Sequence, residues 1–357
     1  MSYTIQLTHA PTPEERTHLH DHLREFNRVT SPWHRAAREP GAIEPLALFV
    51  RDAAGQIIGG LTADTYWDSW LEIADLWLDE SLRGQGLGAE LLRRAETEAM
   101  VRGCIRAHLQ TFSFQARGFY EKYGWRVVGA MEDFPPGQTF YWMRKEFGRP
   151  DEHVSFHSVQ SEADVLDYLA QINRKFRARP QVVRHIQAQV AGLPVAQPVV
   201  VELCHGPGLL ARRLASRLPH IRYTGFDFSG PFVRFTGRQL EPFGPRAAVI
   251  RADLNGDEWL ARLPDAVHAI VSLQSLHDLG GEAEVSRIYR LARERLAPGG
   301  LLLNADLVAP EGGEVANNPG RLPVSRHLQL LRNLGFDAVT CTLQVDEFAC
   351  ITANSPA

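Results

Sequence analysis

The sequence predicts an α/β protein of two domains. The first is a mixed sheet with flanking helices; the second is a doubly wound, mainly parallel sheet whose last strand runs antiparallel. Three observations lead there. The chain has 357 residues, and domains run to roughly 100–200 residues each. Its second half alternates short apolar runs with amphipathic helical stretches, the signature of βαβ units. Its first half instead groups three strand-like runs together and closes on another strand pair.

In the first half, YTIQL (3–7) predicts a strand and PEERTHLHDHLREFNRV (13–29) an amphipathic helix. Residues 46–78 predict three successive strands, with Ala-Ala-Gly marking a hairpin turn. A glycine-rich loop, Arg83 to Gly88, leads into a helix reaching about Arg102. CIRAHLQTF (104–112) predicts a strand and QARGFYEKYG (115–124) a short helix ended by glycine. WRVVGAMEDF and TFYWMRKEF predict an antiparallel pair.

The polar stretch GRPDEHVSFHSVQS holds Gly-Arg-Pro and predicts a linker. The expected domains are therefore 1–148 and 161–357, joined by 149–160. Helices over 162–192, split at Arg179-Pro180, open the second half. Five strands and their helices follow: VVVEL, YTGFDF, AVIRADL, HAIVSLQS and LLLNADL. A last helix, SRHLQLLRNLG, precedes two closing strands, DAVTCTLQ and EFACITA.

Composition narrows the function. The chain is 44% hydrophobic and 22% charged, with a net charge of −4, and neither half carries the basic excess of a nucleic-acid binder. No apolar run is long enough to span a membrane, and the N-terminus lacks the pattern of a signal peptide. The cysteines Cys104, Cys204, Cys341 and Cys350 have no zinc or redox spacing, so reduced thiols, no metal site and a cytoplasmic location are expected.

The run RGQGLGAELLRRAE (83–96) places glycines directly before a helix. Such a loop lets backbone N–H groups approach an anion, and the helix start adds unsatisfied donors. The stretch resembles the GNAT N-acetyltransferase superfamily, with Arg83, Gly86 and Gly88 matching its pyrophosphate loop. Upstream IADLWLDE, and downstream Ala116, Phe119 and Tyr120, extend the resemblance over 3–147. It implies an acyl-CoA cofactor such as acetyl-CoA, held by Leu78, Arg83, Gly84, Gln85, Gly86, Leu87 and Gly88. It also implies that Tyr120 donates a proton to the departing thiolate. Amine acetylation needs a base as well. Asp75 is the candidate; Glu72, three residues earlier, falls on the opposite strand face by alternation. Ser113 departs from the asparagine of many relatives.

VVVELCHGPGLLARRLA (199–215) is a second strand–glycine loop–helix unit. Asp227 ends the next strand, where an acidic residue suits ribose hydroxyls. The order of strands, the E-x-x-x-G-x-G loop and the turn LAPGGLLL resemble class I S-adenosylmethionine (SAM)-dependent methyltransferases over 160–355, a Rossmann-like fold. The resemblance assigns Glu202, Cys204, Gly206 and Gly208 to the methionine and ribose side. Asp227 and Phe228 follow at the ribose, Asp253 and Leu254 at the adenine. Gln274 to Asp278 line the transfer site, with His277 as candidate base because an unperturbed histidine is partly neutral at pH 7. His205 is expected to shape the loop or face solvent. Cys204 stands where the family has a glycine, and the segment VAPEGGEVANNPGRLPV (308–324) is a short acceptor cover.

The expected function is a bifunctional small-molecule tailoring enzyme. One domain acylates an amine and the other methylates N or O, in one secondary-metabolite pathway. The alternative is a single-activity acetyltransferase with a degenerate SAM-binding or regulatory domain. The expected partner is a small amine or hydroxyl acceptor, not nucleic acid or membrane, and a homodimer is compatible with either.

Overall fold

The computed structural model describes residues 3–39, 41–149, 154–313, 315 and 317–356. Within the expected linker, residues 150–153 lie outside the described residues, as do Glu314 and Ala316 of the short cover. The chain divides into two compact units, one comprising residues up to Ala95 with Arg106–Lys145, the other Glu96–Ile105 with Glu146 onward.

The first unit opens with α1 (Pro13–Thr30), whose start is fixed by a capping box between Thr12 and Glu15. The short α2 (Pro32–Ala36) follows. Three strands come next: β1 (Glu44–Arg51), β2 (Ile57–Tyr66) and β3 (Trp70–Leu78). Then come α3 (Leu87–Val101), β4 (Arg106–Phe112), α4 (Arg117–Lys122), β5 (Arg126–Glu132) and β6 (Thr139–Glu146). The sheet order is β1-β2-β3-β4-β6-β5. Pairings are antiparallel within β1-β2-β3 and between β5 and β6, and parallel between β3 and β4. Alternate side chains (Leu61, Ala63, Leu71, Ile73, Ala107, Leu109) are buried and form one packed face.

Two expectations change here. Residues 3–7 form no strand, and Tyr3, Ile5 and Leu7 are 86%, 89% and 82% exposed. Alternation supplies a face but no partner, and a strand exists only as part of a ladder. The second change lies in β3. Asp75 pairs with Thr62, yet Ile73 pairs with Ala63, so Ala74 is an extra residue absorbed as a bulge. Thr62 and Asp64 share a face, and their partners Asp75 and Glu72 therefore share it too. The placement of the two carboxylates on opposite faces is thus corrected: alternation counts residues, and a bulge adds one without changing face.

The second unit starts with α5 (Glu162–Lys175) and α6 (Arg179–Ala191). It continues β7 (Val199–Leu203), α7 (Leu209–Arg217), β8 (Arg222–Asp227), α8 (Gly230–Leu240), β9 (Ala247–Arg251), β10 (Val267–Leu273), α9 (Glu282–Arg295) and β11 (Leu296–Leu307). It ends with α10 (Val324–Asn333), β12 (Asp337–Val345) and β13 (Phe348–Asn354). The sheet order is β12-β13-β11-β10-β7-β8-β9. The β11-β10-β7-β8-β9 pairs are parallel, and β13 is antiparallel to both β11 and β12. The last strand is antiparallel, as the sequence predicts. Both units are mixed α/β sheets with helices, and neither is a closed barrel. On the central strands Val200, Val201, Leu203, Ile270 and Val271 are at most 1% exposed; burying each such side chain contributes about 1.5–3 kcal/mol. Strand order reverses between β7 and β10, which opens a crevice beyond their carboxyl ends.

Candidate active sites

In the first unit, β3 and β4 pair only from Trp70–Arg106 to Ile73–Leu109 and part at the bulge. Beyond β3 the chain turns through Arg83–Gly86 into α3. Gly84 and Gly86 have φ of +74° and +84°, and a Cβ at either would meet nothing within 4 Å. Only glycine adopts that backbone freely, and both positions face open space. The loop is braced from behind: Arg83 Nε donates to the Leu78 carbonyl (3.1 Å) and Gln85 Nε2 to the Ser81 carbonyl (2.7 Å). Gly88 is tight for another reason, since a Cβ there would lie 3.4 Å from the Phe119 ring. Leu87 begins the helix, so the first N–H groups of α3 lie beside the loop without intrahelical acceptors. This fits a pyrophosphate.

Tyr120, on α4, is 7% exposed and packs edge-on against Phe119 and Trp125. Burial pushes its pKa up to about 12, so it keeps its proton at neutral pH. On the outer face of the sheet an open cavity of about 710 Å³ is walled by Tyr66, Trp67, Trp70, Glu72, His108 and Trp142. Glu72 sits in register with His108. Burial, and then the Glu72 carboxylate, push Tyr66 up to about 12. Asp75 is exposed outside this wall and accepts the Thr62 hydroxyl at 2.7 Å. Sequence reasoning named Asp75 and set Glu72 aside; the cavity wall contains Glu72.

In the second unit, Glu202, Cys204, Gly206, Asp227, Asp253 and Gln274 line one cavity of about 430 Å³ at the strand switch point. Phe228, 48% exposed, and Leu254 line it as well. Asp227 is 4% exposed, and its two oxygens accept the backbone N–H groups of Gly206 and Ser229, each at 2.8 Å. Each carboxylate oxygen keeps a second lone pair for a ligand hydroxyl. Glu202, 1% exposed, accepts the Tyr223 hydroxyl at 2.6 Å, and burial raises its pKa to about 8. Gly206 has φ +54° with open space at its Cβ position. Gly208 does not line the cavity; it starts α7 at φ +85°, and a Cβ there would come within 2.7 Å of Thr236. It is a packing glycine.

Three expectations are sharpened. Cys204 holds φ +55°, the left-handed region natural to the glycine it replaces, and burial keeps its thiol protonated. His205 does not face solvent: it is 4% exposed, lines the cavity and bonds the Gly206 carbonyl through Nδ1 at 2.8 Å. His277 is 5% exposed and stands outside the cavity lining. Its Nδ1 meets the buried Asp306 carboxylate at 2.5 Å and its Nε2 lies 3.3 Å from Asp278. Burial alone would lower its pKa, but Asp306 outweighs it and the net shift is upward. A histidine pairing with a carboxylate this closely is not the unperturbed ring expected. Asp278, its neighbour, does line the cavity.

Sequence reasoning missed the roof of the cavity, which includes Tyr168 and Ile172 of α5 and Arg179 of α6. Nothing in a strand–helix alternation marks those positions. Three buried polar atoms lining this cavity have no hydrogen-bond partner among the described residues: Arg179 Nε, His205 Nε2 and Gln274 Oε1. Buried polar groups in proteins are usually satisfied, and these three line one cavity, so a polar ligand fits here.

Fold and sites together define a transferase of two parts, an acetyltransferase domain followed by a methyltransferase domain. The acetyltransferase (GNAT) family model matches residues 7–125 and a methyltransferase domain model matches 200–300. The chain is 38% identical over 130 residues to blasticidin-S acetyltransferase of Streptomyces morookaense, covering 35% of this chain and 95% of that protein. It is 35% identical over 102 residues to an acetyltransferase of Agrobacterium fabrum, covering 29% of this chain and 74% of that one. Among solved structures it is similar to an acetyltransferase from Bacillus cereus (32% identity, TM-score 0.36, 40% of this chain and 97% of that one). It is also similar to the CurJ carbon methyltransferase (16%, TM-score 0.44, 55% of this chain and 64% of that one). The chain belongs to the GNAT acetyltransferase family through its N-terminal part and carries a methyltransferase domain in its C-terminal part.

Proposed function

We propose that the chain is a bifunctional small-molecule tailoring enzyme. Its first domain transfers an acyl group from acyl-CoA to an amine, and its second transfers a methyl group from SAM to N or O. The observation that carries the two-cofactor proposal is the convergence of three buried, unpartnered polar atoms on the 430 Å³ cavity, in a chain that also keeps an open glycine loop at α3. When bound, acetyl-CoA supplies an activated thioester, and SAM supplies a methyl group on a sulfonium.

In the first domain the Gly84–Leu87 backbone would hold the pyrophosphate. Glu72, in the cavity wall, holds the acceptor ammonium. Asp75, on the same face and closer to the loop, would take its proton, and Tyr120 would supply a proton to the sulfur of a bound acyl-CoA. The relative named for blasticidin S supports a small natural-product amine as acceptor. In the second domain Asp227 would hold ribose hydroxyls, Asp253 and Leu254 the adenine, and Gln274 would line the transfer region beside Phe228. Asp278 faces the acceptor, and His277 positions it. Positioning supplies most of the rate in such a displacement. We place the enzyme in the cytoplasm with small molecules, not nucleic acid, as partners. No described helix is long and apolar enough to cross a membrane.

One observation favours a second proposal, a single-activity acetyltransferase with a degenerate second domain: Cys204 occupies a glycine's backbone conformation. Calorimetric titration of the full chain separates the two. Binding of both acetyl-CoA and SAM is expected. Acetyl-CoA binding with no SAM heat at about 1 mM, the scale of the weakest useful affinity, would select the degenerate domain.

A further inference from the structure

We propose that the acceptor of the first domain carries its amine on a planar aromatic body, and that Trp142 is the residue that selects that body. This rests on the acyl-transfer proposal above and extends it to the class of acceptor.

Three of the chain's seven tryptophans line the one cavity on the outer face of the first sheet. Tyr66 ends β2 and Trp67 follows it, Trp70 opens β3, and Trp142 lies on β6. Each indole is held in place. Trp67 Nε1 donates to the Trp33 carbonyl at 3.1 Å. The guanidinium groups of Arg106 and Arg144 lie over Trp70, 5.0 and 5.3 Å from its ring centre. Trp142 rests against Gly129, where a Cβ would come within 3.1 Å of the indole, and Phe140 packs edge-on to it at 4.8 Å. Glycine weakens a strand interior; at position 129 it leaves the room that a flat ring needs. Rigid rings of this kind offer a large contact area at low entropic cost.

The polar groups of the lining are few. Glu72 is the one carboxylate among the described lining residues, and the Tyr66 hydroxyl bonds to it. It suits one ammonium. His108 and Arg144 are the other titratable groups of the wall besides Tyr66. A polyhydroxylated body, such as an amino sugar, would bury hydroxyls against rings that offer them no partner. An aromatic body would not, because ring faces pack offset or edge-on with one another and stack on guanidinium. The volume of about 710 Å³ lies in the range of pockets that take drug-sized molecules. The aromatic strip also runs on beyond Trp142, from Phe140 to Phe112 at 4.9 Å.

The test compares 2-phenylethylamine with 2-cyclohexylethylamine, which differ only in saturation of the ring. Burial alone favours the saturated amine, which has the larger apolar surface. The full chain, titrated by calorimetry without a donor, should instead bind the aromatic amine about fivefold more tightly, the scale of an aromatic pair beyond its buried area. Release of coenzyme A from acetyl-CoA should give the same order in kcat/KM. Trp142→Leu should lose the preference, and Trp142→Phe should keep most of it. Equal weakening of both amines in Trp142→Leu would overturn the role of Trp142. A wild-type protein that binds the two equally, or prefers the saturated ring, would overturn the proposal even if Trp142→Leu does not fold, and acetyl transfer to both amines would then leave the acyl-transfer reading standing. A ring preference in binding with no coenzyme A released by either amine would instead remove the acyl-transfer reading and keep the aromatic ligand.

Discussion

Glu72 and Asp75 project from the same face of β3, because Ala74 is absorbed as a bulge opposite the Thr62–Ala63 step. The two carboxylates can therefore serve one acceptor amine in different ways. Glu72→Gln should raise KM for the amine with a modest effect on kcat. Asp75→Asn should lower kcat by about 10²-fold, the lower range for a general base, with KM little changed. Steady-state kinetics with one amine substrate measure both, and the reverse pattern would exchange the roles. Deleting Ala74 should keep both carboxylates on one face, because Ile73 and Asp75 would then pair in regular register with Ala63 and Thr62, and should lower activity through loss of the parting of β3 from β4 at the bulge.

Tyr120 is buried and unionised up to about pH 12. Tyr120→Phe keeps the ring packing against Phe119 and Trp125 and removes only the hydroxyl. Turnover should fall by about 10²-fold or more with acetyl-CoA affinity unchanged. The alkaline limb of the wild-type pH profile should show no loss from this group below about pH 11. Unchanged turnover in the variant would exclude the acid role.

Cys204 carries a side chain at φ +55°. For an L-residue that region costs about 1–2 kcal/mol, and glycine removes the cost while adding about 0.5–1 kcal/mol of chain entropy. Cys204→Gly should thus stabilise the second domain by up to about 1.5 kcal/mol and bind SAM more tightly. Denaturant unfolding and calorimetry measure the two effects. Weaker SAM binding in the variant would show that the cysteine contributes a contact of its own.

Glu202 has its folded-state pKa raised by burial from 4.5 to about 8. Between those values the folded state holds a proton that the unfolded state has released, so stability falls as pH rises. The contribution is fully present below pH 4.5 and lost on passing pH 8. Thermal unfolding of the ligand-free chain should show this decline, and Glu202→Gln should flatten it. A variant with an unaltered slope would mean that the carboxyl titrates normally.

Much of this was legible in the order of residues. The strand–helix alternation after Val199 is a local pattern, and so is the positioning of Gly84, Gly86 and Gly206 at turns only glycine adopts freely. Most cofactor residues named from the second loop gather in one cavity, because the carboxyl ends of parallel strands necessarily share an edge. Gly208 and His277 do not line that cavity. The first is required by Thr236 and the second is held by Asp306, both contacts between residues distant in sequence.

The sequence by itself determined the two α/β sheets, their loop chemistry and the families they resemble, since periodicity and glycine placement act over a few residues. Tertiary structure alone decided the bulge that brings Asp75 and Glu72 onto one face, the pairing of His277 with Asp306, and the lack of a partner strand for residues 3–7. It also decided that Arg179 forms part of the roof of the second cavity. Each of these depends on which distant groups meet, and a strand's register or a buried charge's partner is set by packing, not by its neighbours in the chain.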